Sequence, residues 1–276
     1  MFIWQIPEKA GGNGQELQVQ RIFYWGEINM LRRIAVIALA MGIFCATQAS
    51  AAEMTVSGAA SLTNAFTELK KIFEANHPGL QVNTNFAASN PLLKQIVEGA
   101  PVDVFASADQ ATMDKAAQAK VIDPATRRNF ALNDLVLIVP KGSPKPDNLK
   151  ALEAMKHIAV GNPDSVPAGR YTKAALTNAG LWEKLEQKYI LAASVRQALD
   201  YVAKGEVDAG FVYRTDAEQY KDKVDIAMIV EGHDPVSYPI AVSITGNNAK
   251  AGQEFLDFVL SPEGQAVLAK YGFSKP

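Results

Sequence analysis

From Met54 onward the chain alternates short β-branched runs with stretches of helical periodicity, and that alternation restricts it to few architectures. "MTVSGA" reads as a strand, and Leu62, Ala65, Phe66, Leu69, Ile72 and Phe73 then fall on one face of a helix. "LQVNTNFA" is strand-like, Leu92 to Glu98 helical, "VDVFASA" a strand and Gln110 to Ala119 a helix. A βαβαβα order favours a largely parallel sheet covered by helices. A second series follows: "LVLIVP" at 135–140, a short helix near Asp147 to Met155, "HIAVG", a helix after Pro167, a helix from Ser194 to Lys204, "VDAGFVY", "VDIAMIV" and "YPIAVSI" at 238–244. Helices Ala249 to Leu260 and Pro262 to Lys270 close the chain, the last with Ser261 as cap and Pro262 in its first position. The strand count asks for an α/β fold of two lobes. Lobe 1 takes residues 52–132 plus 238–276 and lobe 2 takes 133–237, with crossings near 131–137 and 234–240.

The first 51 residues do not share this pattern. Met30-Leu31-Arg32-Arg33 followed by "IAVIALAMGIFCATQASA" has a basic start, an apolar run and small residues Ala49 and Ala51 at an A-x-A site. Residues 30–51 are therefore expected to be a secretory signal cut after Ala51, and residues 1–29 an upstream extension outside the mature fold. Cys45, the single cysteine, lies in the signal, so the mature chain must be held by packing even in an oxidising compartment. Residues 1–51 hold four basic side chains (Lys9, Arg21, Arg32, Arg33) and three acidic ones (Glu8, Glu16, Glu27), which leaves 23 of the chain's 27 basic and 26 of its 29 acidic residues. A slightly acidic chain without a basic cluster is not built for nucleic acid.

The ends of the strands carry the chemistry. In open α/β sheets the ligand crevice lies beyond the strands' carboxyl ends, where helix N-termini also point. "SGAASLTNAF" puts Ser61 at a strand-to-helix junction and "NFAASNPLL" puts Ser89 at another. In "GNPDSVPAGRY" Pro167 suits the first helical position, yet the capping position falls to Val166, which has no oxygen for the free amides of Ala168 and Gly169. "LAASVRQAL" places the Val195 amide in another first turn, and "GFVYRTDA" leaves the Tyr213 phenol at a strand end. Convergent ends of this kind can hold a dianion without any basic side chain. Each residue also has a plainer role open to it: Ser61 and Ser89 as caps of their own helices, Tyr213 as a half-buried packing residue, and the Val195 side chain as core. Arg170 is expected to support the cleft electrostatically rather than grip the anion, with the ligand, Asp164 or a partner protein as its possible counterpart.

At these residues the sequence resembles the periplasmic molybdate-binding proteins, the solute receptors of molybdate ABC transporters. The resemblance runs from "MTVSGAASLTNAF" through "ASNPLLKQIVEGAPVDVFASADQATMD", "VGNPDSVPAGRYTKAAL", "SVRQALDYVAKGEVDAGFVYRTDA" and "YPIAV" to "SPEGQAVLAKYGF". It implies a two-lobed periplasmic-binding-protein fold of type II, each lobe a mostly parallel sheet flanked by helices, joined by two crossover segments. It also implies a tetrahedral oxyanion held by Ser61, Ser89, Ala168, Val195 and Tyr213, with molybdenum bound only as that oxyanion and no cofactor. The implied partners are a membrane permease and its ATPase, the implied location is the periplasm, and the receptor is expected to be a monomer. Two departures stand out. Ala88 and Asn90 flank Ser89 where a well-known form of the family has more hydroxyls, and Arg170 replaces an aliphatic residue.

Rival classes find less support. A serine hydrolase would need a base near Ser61 or Ser89, but His77, His157 and His233 are isolated in sequence and neither G-x-S-x-G nor a Walker A pattern occurs. The carboxylates Asp103, Asp109 and Asp216 are read as strand-end and helix-dipole groups rather than ligands of a hard cation. A receptor for sulfate, phosphate or an organic anion remains the alternative within the binding class.

Overall fold

The computed structural model describes residues 52–276, so the expected signal and upstream extension lie outside the described residues. Ten strands form two five-stranded sheets. In the first the order is β2 (Leu80–Ala87), β1 (Ala52–Ala59), β3 (Val104–Ala106), β10 (Val236–Val242) and β4 (Arg128–Asn133). In the second it is β7 (Tyr189–Ala192), β6 (Ile158–Gly161), β8 (Ala209–Tyr213), β5 (Leu135–Pro140) and β9 (Val224–Ile229). The chain passes between sheets from Asn133 to Leu135, over Asp134 alone, and returns between Ile229 and Val236.

Each sheet is mostly parallel, as expected, with four strands running one way and a single strand reversed among them. β1 runs parallel to β2 and β3, and β6 to β7 and β8, as helical crossovers dictate. β10 is antiparallel to β3 and β4, and β5 to β8 and β9. β5 and β10 are the strands that arrive from the other sheet, so no βα crossover fixes their direction.

Eight α-helices cover the described sheets. α1 (Thr63–Asn76), α2 (Ser89–Val97), α3 (Gln110–Gln118), α7 (Ala249–Leu260) and α8 (Pro262–Lys270) accompany the first sheet, and α4 (Pro167–Asn178), α5 (Val195–Ala203) and α6 (Arg214–Gln219) the second. α1 buries Ala65, Phe66, Leu69 and Phe73, the stripe its spacing requires. Phe66 and Phe73 meet Phe255 of α7 edge-on at 6.0 and 5.2 Å, so three helical turns share one core. Ser261 caps α8 by accepting from the Gly264 amide at 3.1 Å. The segment near Asp147 to Met155 is a 3-10 helix, Leu149–Ala154, rather than an α-helix. Three elements were not legible from pattern: β4, whose polar and apolar residues alternate weakly, β7, an edge strand exposing Leu191, and the short α6.

Candidate functional site

Strand ends from both sheets and the first turns of three helices surround one small cavity of about 10 Å³. All five sequence-predicted residues line it: Ser61, Ser89, Ala168, Val195 and Tyr213. A wider concavity of about 390 Å³ lies along the crossing segments around Asn133, Glu231 and His233, and none of the five reaches it.

The local folding explains each donor. Ser61 sits in a 3-10 turn, Ala60–Leu62, between β1 and α1, and Ser89 is the first residue of α2 behind the cap position of Ala88. Neither hydroxyl caps its own helix. Ser89 Oγ instead accepts from the Ala108 amide at 3.1 Å, which leaves its proton free to donate. α4 has no side-chain cap from Val166, so the amides of Ala168 and Gly169 keep the free donors its sequence implied, at the positive end of a helix. α5 is capped by Ser194, which accepts from Gln197 at 3.1 Å, and the Val195 amide before it points from the first turn while its side chain is buried. Tyr213 ends β8, is 1% exposed, and its hydroxyl has no protein partner. Burial holds that phenol well above the usual tyrosine range, so it stays an O–H donor at neutral pH.

A buried relay that sequence reasoning missed sets the direction of Ser61. The Asn133 carbonyl accepts from the Asp134 amide at 3.0 Å, which turns its amide group toward Thr215 Oγ1 at 2.8 Å and Tyr238 Oη at 3.2 Å. Having accepted from Asn133, Tyr238 has its own proton to give, and Ser61 Oγ is 3.0 Å away. Ser61 thus becomes an acceptor on one side and a donor toward the cavity on the other. Tyr238 lies 177 residues from Ser61 in the chain, and no local pattern announces that pairing.

No cationic side chain lines the cavity. Arg170, two residues beyond Ala168, binds Asp109 rather than the Asp164 carboxylate, donating through Nε at 2.7 Å and through Nη2. Arg196, next to Val195, lies 2.6 Å from Asp216, whose carboxyl burial pushes upward against the pull of that guanidinium. Asp103 accepts from the amides of Thr55 and Asn248 at 2.7 and 2.6 Å. The three carboxylates therefore serve protein partners, and no metal-ligating group of three acidic, histidine or cysteine side chains occurs among the described residues. The arrangement presents neutral donors to whatever enters, which suits an anion that can shed its water shell.

The model of bacterial extracellular solute-binding proteins matches residues 54–274. The chain is 38% identical over 245 residues to the molybdate-binding protein ModA of Escherichia coli (strain K12), covering 86% of this chain and 95% of that one. It is 35% identical over 234 residues to the molybdate-binding protein ModA of Haemophilus influenzae, covering 82% and 91%. The solved periplasmic molybdate-binding protein of Azotobacter vinelandii superposes with a TM-score of 0.70 at 25% identity, covering 81% of this chain and 99% of that one.

Proposed function

Because this chain belongs to the bacterial extracellular solute-binding proteins, we propose that it captures molybdate, and tungstate with it, by closing two lobes over the oxyanion. The lobes are residues 52–133 plus 236–276 and residues 134–235, one and two residues from the expected limits because β4 ends at Asn133 and β10 begins at Val236. The single observation that supports this reading is the convergence of five donor positions, two from the first lobe and three from the second, on one cavity without a charged side chain. The Ser61 and Ser89 hydroxyls, the Ala168 and Val195 amides and the Tyr213 phenol take the places of water molecules around the anion.

A site that presents mainly donors has little to offer a protonated ligand oxygen. It therefore prefers a fully ionised tetrahedral anion over phosphate, which is partly protonated at neutral pH, and the size of the cavity separates molybdate from smaller sulfate. No histidine stands at the serines: His77 stacks on Phe73 at 4.0 Å, His233 binds the Val230 carbonyl at 2.9 Å, and neither they nor His157 line the cavity. The protein works in the periplasm as a monomer without a cofactor, and passes its cargo to a membrane permease driven by an ATPase.

Thermal unfolding with added molybdate, tungstate, sulfate or phosphate tests the reading. Molybdate at 100 times its dissociation constant should add about 2.7 kcal/mol of stability, and tungstate the same. Silence toward both, with a shift in sulfate or phosphate, would transfer the site to another oxyanion. Tyr213→Phe should weaken molybdate about tenfold in isothermal titration, the loss of one hydrogen bond to a charged group, and unchanged affinity would remove the phenol from the ligand shell.

A further inference from the structure

We propose that Arg170 and Asp109 form a cross-cleft latch that holds the lobes together over the bound anion and sets the rate at which it escapes. The proposal rests on the lobe-closing receptor described above. Arg170 belongs to α4 of the second lobe and Asp109 to the cap of α3 in the first. The two oxygens of Asp109 divide their work: Oδ1 accepts from the Thr112 amide at 3.0 Å as a helix cap, and Oδ2 accepts from Arg170 Nε at 2.7 Å and from Nη2. Asp109 is 4% exposed, whereas the Arg170 side chain keeps a quarter of its surface in solvent.

The contacts around this pair close into a circuit. Arg170 Nη2 also donates to Thr112 Oγ1 at 2.8 Å, Thr112 donates to Asn90 Oδ1 at 2.8 Å, and Asn90 Nδ2 returns to the second lobe by donating to the Asp164 carbonyl at 2.7 Å. Every donor and acceptor in the circuit is used consistently, and opening the cleft breaks its cross-lobe members together. Its ends adjoin the proposed ligand groups, since Asn90 follows Ser89 and Arg170 lies two residues after Ala168. Spending the guanidinium on Asp109 also keeps the anion's surroundings neutral, so the pair stabilises closure without adding a charge at the ligand. Arg196 makes the contrasting contact. It reaches Asn64 across the cleft at 2.8 Å, but its charge is met within its own lobe by Asp216, so its cross-lobe contact is one hydrogen bond to an uncharged carboxamide rather than an ion pair.

Release of radiolabelled molybdate chased with unlabelled molybdate reads the latch directly. Arg170→Leu and Asp109→Asn should each speed release about tenfold, which corresponds to 1.4 kcal/mol. Asparagine retains the cap on α3, so Asp109→Asn tests the charge and not the helix. The double variant should release no faster than either single one, as a shared interaction requires, and Asn64→Ala should change the rate less than twofold. Ligand-free small-angle scattering should give Arg170→Leu and Asp109→Asn a larger radius of gyration than the parent protein. Additive effects in the double variant, or release rates and radii equal to the parent's, would overturn the latch. Should the parent itself retain no molybdate, the ligand reading falls alone, and the scattering comparison still decides for or against the latch.

Discussion

Replacing Ser89 with alanine should lower molybdate affinity more than a hundredfold while the protein still folds. The hydroxyl is fully buried and works in both directions, accepting from the Ala108 amide at 3.1 Å and, in the proposed site, donating to the anion. Its loss removes a hydrogen bond to a charged group, about 1.5–3 kcal/mol. It also strands the Ala108 N–H in a cavity that closes dry around the ligand, at about 1 kcal/mol or more. The sum of about 3 kcal/mol exceeds two decades in the dissociation constant. Isothermal titration that finds Ser89→Ala within threefold of the parent would show that this oxygen does not face the ligand.

Gly169→Ala should cost about 3 kcal/mol in urea unfolding and lower molybdate affinity by about two orders of magnitude. A Cβ at this position would lie 1.9 Å from the Gly161 carbonyl oxygen and 2.6 Å from its carbon, both backbone atoms of β6 that no rotamer change can move. The first turn of α4 therefore rests directly on the end of β6. Relief requires moving the helix start by more than 1 Å, and the amide of Ala168 travels with it. Parent-like stability and binding together would show that α4 and β6 tolerate a wider spacing than the structure has.

What could be read in advance was local. Strand-to-helix junctions at Ser61 and Ser89, an uncappable Val166 and a phenol closing β8 are each visible within ten residues of sequence, and the cavity gathers all of them. The helical face of α1 was legible for the same reason, since its apolar period is written in consecutive turns. The rest depends on distance along the chain. Arg170 finds Asp109 at a separation of 61 residues across the two lobes, and Tyr238 finds Ser61 at 177 through the strand order of the first sheet, so neither pairing is written locally. The one reversed strand in each sheet was illegible for the same reason, because β5 and β10 look like any other apolar strand while their antiparallel course follows from where the chain enters each sheet.

Asn133 ends the last strand before the chain changes sheets, and the same side chain steers Tyr238, whose hydroxyl meets Ser61. Pivot and recognition thus hang from one carboxamide. Any swing that twists the backbone at this joint also disturbs the Ser61 proton that the proposed site offers its cargo, so posture and grip change in a single stroke.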